Sequence, residues 1–77
     1  MSGNKLNIER LLSLCRTYNE SCNGGNTADG FYIRKRLAVV IQRQLTVVQA
    51  NYTSVKLEKN DNRKYNQLVI NGTTYKI

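Results

Sequence analysis

The chain has 77 residues, with 12 Lys and Arg, five Asp and Glu and no His, which gives a formal net charge of +7. At this length we expect one small basic domain spanning residues 1–77, since most domains run to about 100–150 residues. Without His, and with only two Cys, the chain lacks the ligands of a usual four-ligand zinc site. General acid–base catalysis is also poorly supplied. The composition therefore predicts a protein that is not an enzyme and that holds no metal or cofactor.

The cysteines and the hydropathy pattern predict a cytoplasmic location. Cys15 and Cys22 lie two turns apart on one face of a predicted helix, a separation of about 10.5 Å. A disulfide needs Cα atoms within about 7 Å, so two reduced, buried thiols are expected. The chain starts on a polar segment rather than a signal peptide. Its longest apolar run, residues 37–41, is much shorter than a membrane-spanning helix, which needs about 20 apolar residues, so no membrane contact is expected.

Apolar residues at three- and four-residue steps predict an amphipathic first helix. Asn7 is its expected N-cap, and Asn4 is the alternative. The helix is expected to stop at Asn23, where the glycines of residues 24–25 supply the left-handed conformation, and residues 23–30 form a polar loop. The apolar face of this helix consists of Ile8, Leu11, Leu12, Cys15, Tyr18 and Cys22.

A second helix is predicted to start after Thr27 or Asp29 and to end between Gln44 and Val48. The β-branched residues near its end favour an extended chain from about Val47 onward. A strand with alternating faces follows, and then a charged turn at residues 59–64. The expected apolar stripe of the second helix consists of Ile33, Leu37, Val40, Ile41, Leu45 and Val48.

The C-terminal residues predict a β-hairpin, because Asn71-Gly72 between two β-prone runs is the signature of a type I′ turn. The turn fixes the register as Ile70–Thr73, Leu68–Tyr75 and Asn66–Ile77. The inner face is expected to carry Leu68, Ile70, Tyr75 and Ile77, and the outer face Tyr65, Gln67, Val69, Thr74 and Lys76. The predicted fold is α+β: two N-terminal helices packed on a three-stranded antiparallel meander, in the order α-α-β-β-β.

The excess positive charge is concentrated in one part of the chain. Residues 1–29 are neutral, with three cations against three acids, and residues 58–77 carry four cations against two acids. Residues 30–57 contain five cations and no acid. A surface that needs only to be soluble usually carries both positive and negative side chains. A segment with cations and no acid therefore favours binding to a polyanion. The predicted binding residues are Arg34, Lys35, Arg36, Gln42, Arg43, Lys56, Lys59, Arg63 and Lys64.

The leading functional hypothesis is a small nucleic-acid-binding or nucleoprotein-associated protein. The solvent face of the second helix and the basic turn would contact phosphates, while Arg and Gln can also read base edges. Six to eight such contacts predict that the logarithm of the affinity for duplex DNA falls against the logarithm of the salt concentration with a slope of about −5 to −7. The Asn-rich, proline-free composition suits an AT-rich phage or plasmid genome.

Four other interpretations remain open. In the first, the charged face of the second helix is only a solvated face, as charged helix faces most often are. In the second, exposed Tyr and Lys on the outer sheet face form another candidate surface for nucleic acid, through Tyr52, Lys56, Tyr65 and Lys76. The chain is alternatively a modulator or inhibitor of a host enzyme or defence system, with its basic face on an acidic protein surface.

The anchors of such a modulator would be Phe31, Tyr32 or Tyr65, although Phe31 is expected in the core. A structural homodimer that buries Val39 and Val47 is the fourth alternative.

Overall fold

The computed structural model confirms the predicted α-α-β-β-β order and describes residues 2–23, 28–61 and 63–77. Two helices are followed by a three-stranded antiparallel sheet with β2 in its centre. The elements are α1 (Ser2–Asn23), α2 (Ala28–Asn51), β1 (Val55–Lys59), β2 (Tyr65–Ile70) and β3 (Thr73–Lys76). Among the residues described, no helix is long and apolar enough to cross a membrane.

Helix α1 presents the predicted apolar face to the core but begins earlier than predicted. Because it starts at Ser2, neither Asn7 nor Asn4 caps it, and both lie within the helix. The carbonyl oxygen of Asn7 instead accepts a hydrogen bond of 3.1 Å from Nε2 of Gln44, which ties α1 to α2. The predicted glycine stop at residues 24–25 lies outside the described residues. On the apolar face Ile8, Leu11, Leu12 and Cys15 are buried, and Tyr18 and Cys22 are half-buried.

Helix α2 begins at Ala28, the earlier of the two predicted starts, but continues to Asn51. The strand expected from Val47 was wrong, since β1 begins only at Val55. Val48 is fully buried, and this packing outweighs the weak helix propensity of the β-branched residues. Within the last turns Nδ2 of Asn51 also donates to the carbonyl oxygen of Val47 at 2.8 Å.

The core side of α2 is narrower than its sequence pattern predicted. Ile41 and Val48 are buried and Leu37 is half-buried, but Ile33 and Val40 are exposed. On a helix these two residues lie about 80–100° from Ile41. Helix α1 and the sheet cover only the sector around Ile41, so Ile33 and Val40 remain at the surface.

The β2–β3 hairpin forms as its turn sequence predicts. Ile70 pairs with Thr73 and Leu68 with Tyr75, and Asn71 and Gly72 have φ values of 49° and 87°, as a type I′ turn requires. The backbone N–H of Ile77 donates to the carbonyl oxygen of Asn66 at 3.1 Å, in agreement with the third predicted pair. The inner face packs on the helices as expected, with Leu68, Ile70, Tyr75 and Ile77 in or against the core.

A register shift in the β1–β2 ladder reverses the predicted position of Tyr65. Glu58 pairs with Gln67 but Lys59 pairs with Tyr65, so Asn66 is the extra residue of a bulge. The bulge turns Tyr65 into the core, where it is 7% exposed, and the outer position expected for it was wrong. Tyr52 also packs against the core instead of lying on the outer face. The second candidate surface, which needed both rings, is therefore not formed.

Candidate nucleic-acid interface

A cleft of about 550 Å³ brings together two of the basic segments that the sequence singled out. It lies between α1, the N-terminal half of α2 and the turn that joins β1 to β2. Arg34 and Lys35 of α2 line it together with Arg63 of the turn. The volume is within the range of about 300–1,000 Å³ of small-ligand sites. The remaining lining residues are Tyr18, Cys22, Phe31 and Ala38.

Arg34 is the most firmly held cation of the cleft. Its side chain is half-buried, and Nη1 donates to the carbonyl oxygen of Ser21 at 3.0 Å. The bond satisfies a carbonyl in the last turn of α1, where intrahelical donors are missing. A guanidinium has five N–H donors, so four remain for other acceptors. Arg34 thus joins the two helices and still presents donors to a ligand.

The position of Arg63 is set by the backbone of the turn. Its φ of 64° is in the left-handed region, which is uncommon for a residue other than glycine. Its N–H donates to the carbonyl oxygen of Asn60 at 3.0 Å, and the N–H of Asn60 donates to the carbonyl oxygen of Lys64 at 2.8 Å. The side-chain oxygen of Asn60 also accepts from the N–H of Lys64 at 3.1 Å. These bonds hold the turn in the conformation that places Arg63 at the cleft.

Two aromatic pairs differ in how accessible they are. Phe31 was expected in the core but is 59% exposed, with its ring 6.3 Å from that of Tyr32 in an edge-on arrangement. Tyr18 meets Tyr65 edge-on at 5.0 Å, and Nζ of Lys59 lies 4.8 Å above the Tyr65 ring. Lys59 is therefore already engaged in a cation–π contact. Phe31 is the ring at the cleft that is accessible for stacking.

Asn19 anchors the base of the turn, a role that the sequence did not indicate. Its Nδ2 donates to the carbonyl oxygen of Tyr65 at 2.7 Å, and its Oδ1 accepts from the N–H of Tyr65 at 2.8 Å. The pair of bonds joins α1 to the first residue of β2, 46 positions along the chain. The only signal in the sequence was a polar residue beside the apolar face of the first helix.

The other predicted binding residues lie away from the cleft or at its margin. Gln42 is exposed on the same side of α2 as Lys35, two helical turns further along. Arg36 and Arg43 are exposed about 80–120° round the helix from these two residues. Lys56 lies on the outer face of the sheet, since its neighbours Val55 and Leu57 pack against the core. Lys64 is half-buried beside Arg63. The nine predicted residues therefore form separate groups and not one continuous face.

The buried thiol of Cys15 and the phenol of Tyr65 give the fold an alkaline limit. Burial raises the pKa of Cys15 from 9.0 to about 11, against a smaller opposing effect of the Lys59 charge. Burial, with added effects of Cys15 and Tyr18, raises the pKa of Tyr65 from 10.0 to about 12. Because both pKa values are higher in the folded state, the stability gained by keeping the groups protonated is complete below about pH 9 and is lost as pH rises toward 11 and 12.

We expect the free energy of unfolding to fall by about 1.5 kcal/mol between pH 8 and pH 10, mainly through Cys15. Urea denaturation at the two pH values measures this loss. In Cys15→Ala, which is less stable at both pH values, most of the difference between them should disappear. A difference of unchanged size in this variant would assign the alkaline limit to other groups.

Comparisons with known proteins give no guide to this site. No protein-family model matches the chain, and neither a curated protein nor a solved structure is significantly similar to it.

Proposed function

We propose that the protein is a non-enzymatic nucleic-acid-binding protein that acts in the cytoplasm. Arg34, Lys35 and Arg63 contact phosphates at the cleft, and Phe31 stacks on an unpaired base. The observation that carries the proposal is the cleft itself, which joins cations from two distant segments with an exposed aromatic ring. Cations that follow a backbone, together with aromatic side chains under the bases, are how proteins bind single strands.

The electrostatics of the cleft support this proposal. Between residues 30 and 57 there is no Asp or Glu, so the single acid of α2, Asp29, precedes all the cations of the helix. Arg34 is fixed by its bond to Ser21, and the turn that carries Arg63 is held by backbone hydrogen bonds. Cations held in place before binding lose little conformational freedom when a phosphate arrives. The two free thiols are consistent with a reducing compartment.

A salt titration tests the proposal. Three to five cations at or beside the cleft predict a log–log slope of about −2 to −3.5 on a single strand and about −3 to −4.5 on duplex DNA. These slopes are shallower than the one expected from the sequence, because the structure separates Arg36, Arg43 and Lys56 from the cleft. Fluorescence anisotropy with a labelled oligonucleotide, as single strand and as duplex, measures both slopes. Affinity that does not change with salt, or no binding near about 50 mM salt, would contradict the proposal.

A further inference from the structure

One exposed flank of α2 carries an apolar stripe that neither α1 nor the sheet covers. Ile33, Val40 and Val47 follow one another at seven-residue steps and are 50%, 44% and 42% exposed. Seven residues are two helical turns, so the three side chains form one line along the helix. A helix face that packs against another helix repeats apolar residues at seven-residue steps, usually with a second apolar residue three or four positions on. Here Arg36 and Arg43 occupy the position three residues after Ile33 and Val40.

Two cations lie between this stripe and a second group of exposed apolar residues. At about 100° per residue, Arg36 and Arg43 fall next to the stripe, and Tyr32 and Val39 fall on their other side. All four are exposed. We call the stripe and these four residues the α2 flank. The cleft residue Lys35 lies about 120–160° round the helix from the stripe, so the stripe lies apart from the cleft. The α2 flank adjoins the cleft only at its other edge, where the Tyr32 ring meets that of Phe31.

The charge of the α2 flank argues against a second copy of this chain as its occupant. If two α2 helices packed parallel, Arg36 would face Arg36, and if they packed antiparallel around Val40, it would face Arg43. Residues 30–57 contain no acid that could pair with these cations in either arrangement. Like charges facing one another in an interface cost several kcal/mol. The homodimer that the sequence left open would therefore bring unpaired cations together.

We propose that the α2 flank binds an amphipathic, acidic helix of a partner protein. The partner's apolar residues would pack along Ile33, Val40 and Val47, and its carboxylates would pair with Arg36 and Arg43. A carboxylate can accept two parallel hydrogen bonds from a guanidinium, which gives such a pair both strength and direction. Nucleic acid fits this surface poorly, because phosphates do not require a line of aliphatic side chains beside the cations. The inference is independent of the proposed nucleic-acid site.

The test uses two designed helical peptides of about 20 residues, each with leucines along one face. In the first peptide glutamates border the leucines, and in the second lysines replace every glutamate. We expect the acidic peptide to bind the wild-type protein at least about tenfold more tightly than the basic peptide. Equal affinity for both, or no binding of the acidic peptide at about 100 µM, would overturn the proposal.

Charge exchange then locates the binding surface. Arg36→Glu/Arg43→Glu is expected to abolish binding of the acidic peptide and to create binding of the basic one. General loss of folding cannot produce this reversal of preference. Lys5→Glu/Arg16→Glu is the matched control, since it changes two exposed cations of α1 and lowers the net charge by the same four units. This control should leave the preference for the acidic peptide in place. Loss of that preference in the control would overturn the assignment to the α2 flank.

Two further measurements exclude the other occupants. Val40→Asp should weaken binding of the acidic peptide about tenfold while leaving oligonucleotide affinity within about twofold. If Val40→Asp instead dissociates a wild-type dimer seen in sedimentation at low micromolar concentration, a second copy covers the α2 flank and the proposal fails. If Arg36→Glu/Arg43→Glu lowers the affinity for the oligonucleotide as much as substitutions at the cleft do, the α2 flank contacts nucleic acid. The proposal then also fails.

Discussion

Replacing Asn19 with Ala is expected to lower the free energy of unfolding by about 2–4 kcal/mol. The Asn19 side chain gives one hydrogen bond to Tyr65 and accepts another from it, at 2.7 and 2.8 Å. Because Tyr65 is buried, removal of the amide leaves its backbone N–H and carbonyl oxygen without partners and away from water. A core of this size supplies about 3–5 kcal/mol, so the loss approaches the whole stability of the fold. The shift of the urea midpoint in circular dichroism measures it.

The matched control for this prediction is Asn51→Ala. Nδ2 of Asn51 also donates to a backbone oxygen, that of Val47 at 2.8 Å, but the residue is exposed and water can replace the bond. Its change should stay within about 0.5 kcal/mol. Asn19→Asp, which keeps the acceptor and loses the donor, should fall between the two. Equal losses for Asn19→Ala and Asn51→Ala would show that the link between α1 and β2 adds nothing beyond a surface hydrogen bond.

Lys35→Glu/Arg63→Glu is expected to lower oligonucleotide affinity by about a hundredfold near 50 mM salt. The variant removes two of the three cations that line the cleft and puts acids in their place. Arg34 is left unchanged because its bond to Ser21 also stabilises the helix pair. The slope of affinity against salt should become shallower by about 1.4 on a single strand or 1.8 on a duplex, since two phosphate contacts are lost. Anisotropy titrations at several salt concentrations give both values.

Lys5→Glu/Arg16→Glu serves as the control for this variant as well. Both variants reduce the net charge from +7 to +3, because each of the two reversals removes two units. The α1 control should lose only the long-range attraction and keep the wild-type salt slope. If both variants lose affinity equally, net charge and not the cleft is responsible for binding. Unchanged circular dichroism spectra are required of both.

The parts of the fold that could be predicted from the sequence are those that depend on near neighbours. The Asn71-Gly72 turn determines its own register through positive φ at both positions, and β2 and β3 pair as expected. The apolar face of α1 follows from spacing alone. These features depend on local geometry, which a single sequence records directly.

The features that could not be predicted depend on contacts distant in sequence. Packing of Val48 extends α2 past the point where β-branched residues suggested a strand. The bulge at Asn66 moves Tyr65 from the outer to the inner face of the sheet, and the alternation of side chains in the sequence does not indicate the extra residue. Ile33 and Val40 were assigned to the core because the pattern of a helix does not tell how wide a sector its neighbours cover.

The candidate site was predictable as a set of charges but not as a surface. The acid-free segment drew attention to α2, and the structure places Arg34 and Lys35 beside Arg63. The separation of Arg36 and Arg43 from that group follows from which side of α2 packs on α1, and Lys56 is separated by the alternation of β1. The exposure of Phe31 likewise depends on the relative position of the two helices.

The link from Asn19 to Tyr65 also has a consequence for folding kinetics. The two helices are neighbours in sequence and so are the three strands, so each half of the molecule is built from local contacts that form quickly. The Asn19 bonds close a separation of 46 residues between the halves. We expect them to form after the transition state, with a φ-value near zero, so that Asn19→Ala accelerates unfolding while the refolding rate changes little. Docking of a helical hairpin onto a preformed meander would then be the last step of folding, and its reversal would be the first step by which the native protein opens.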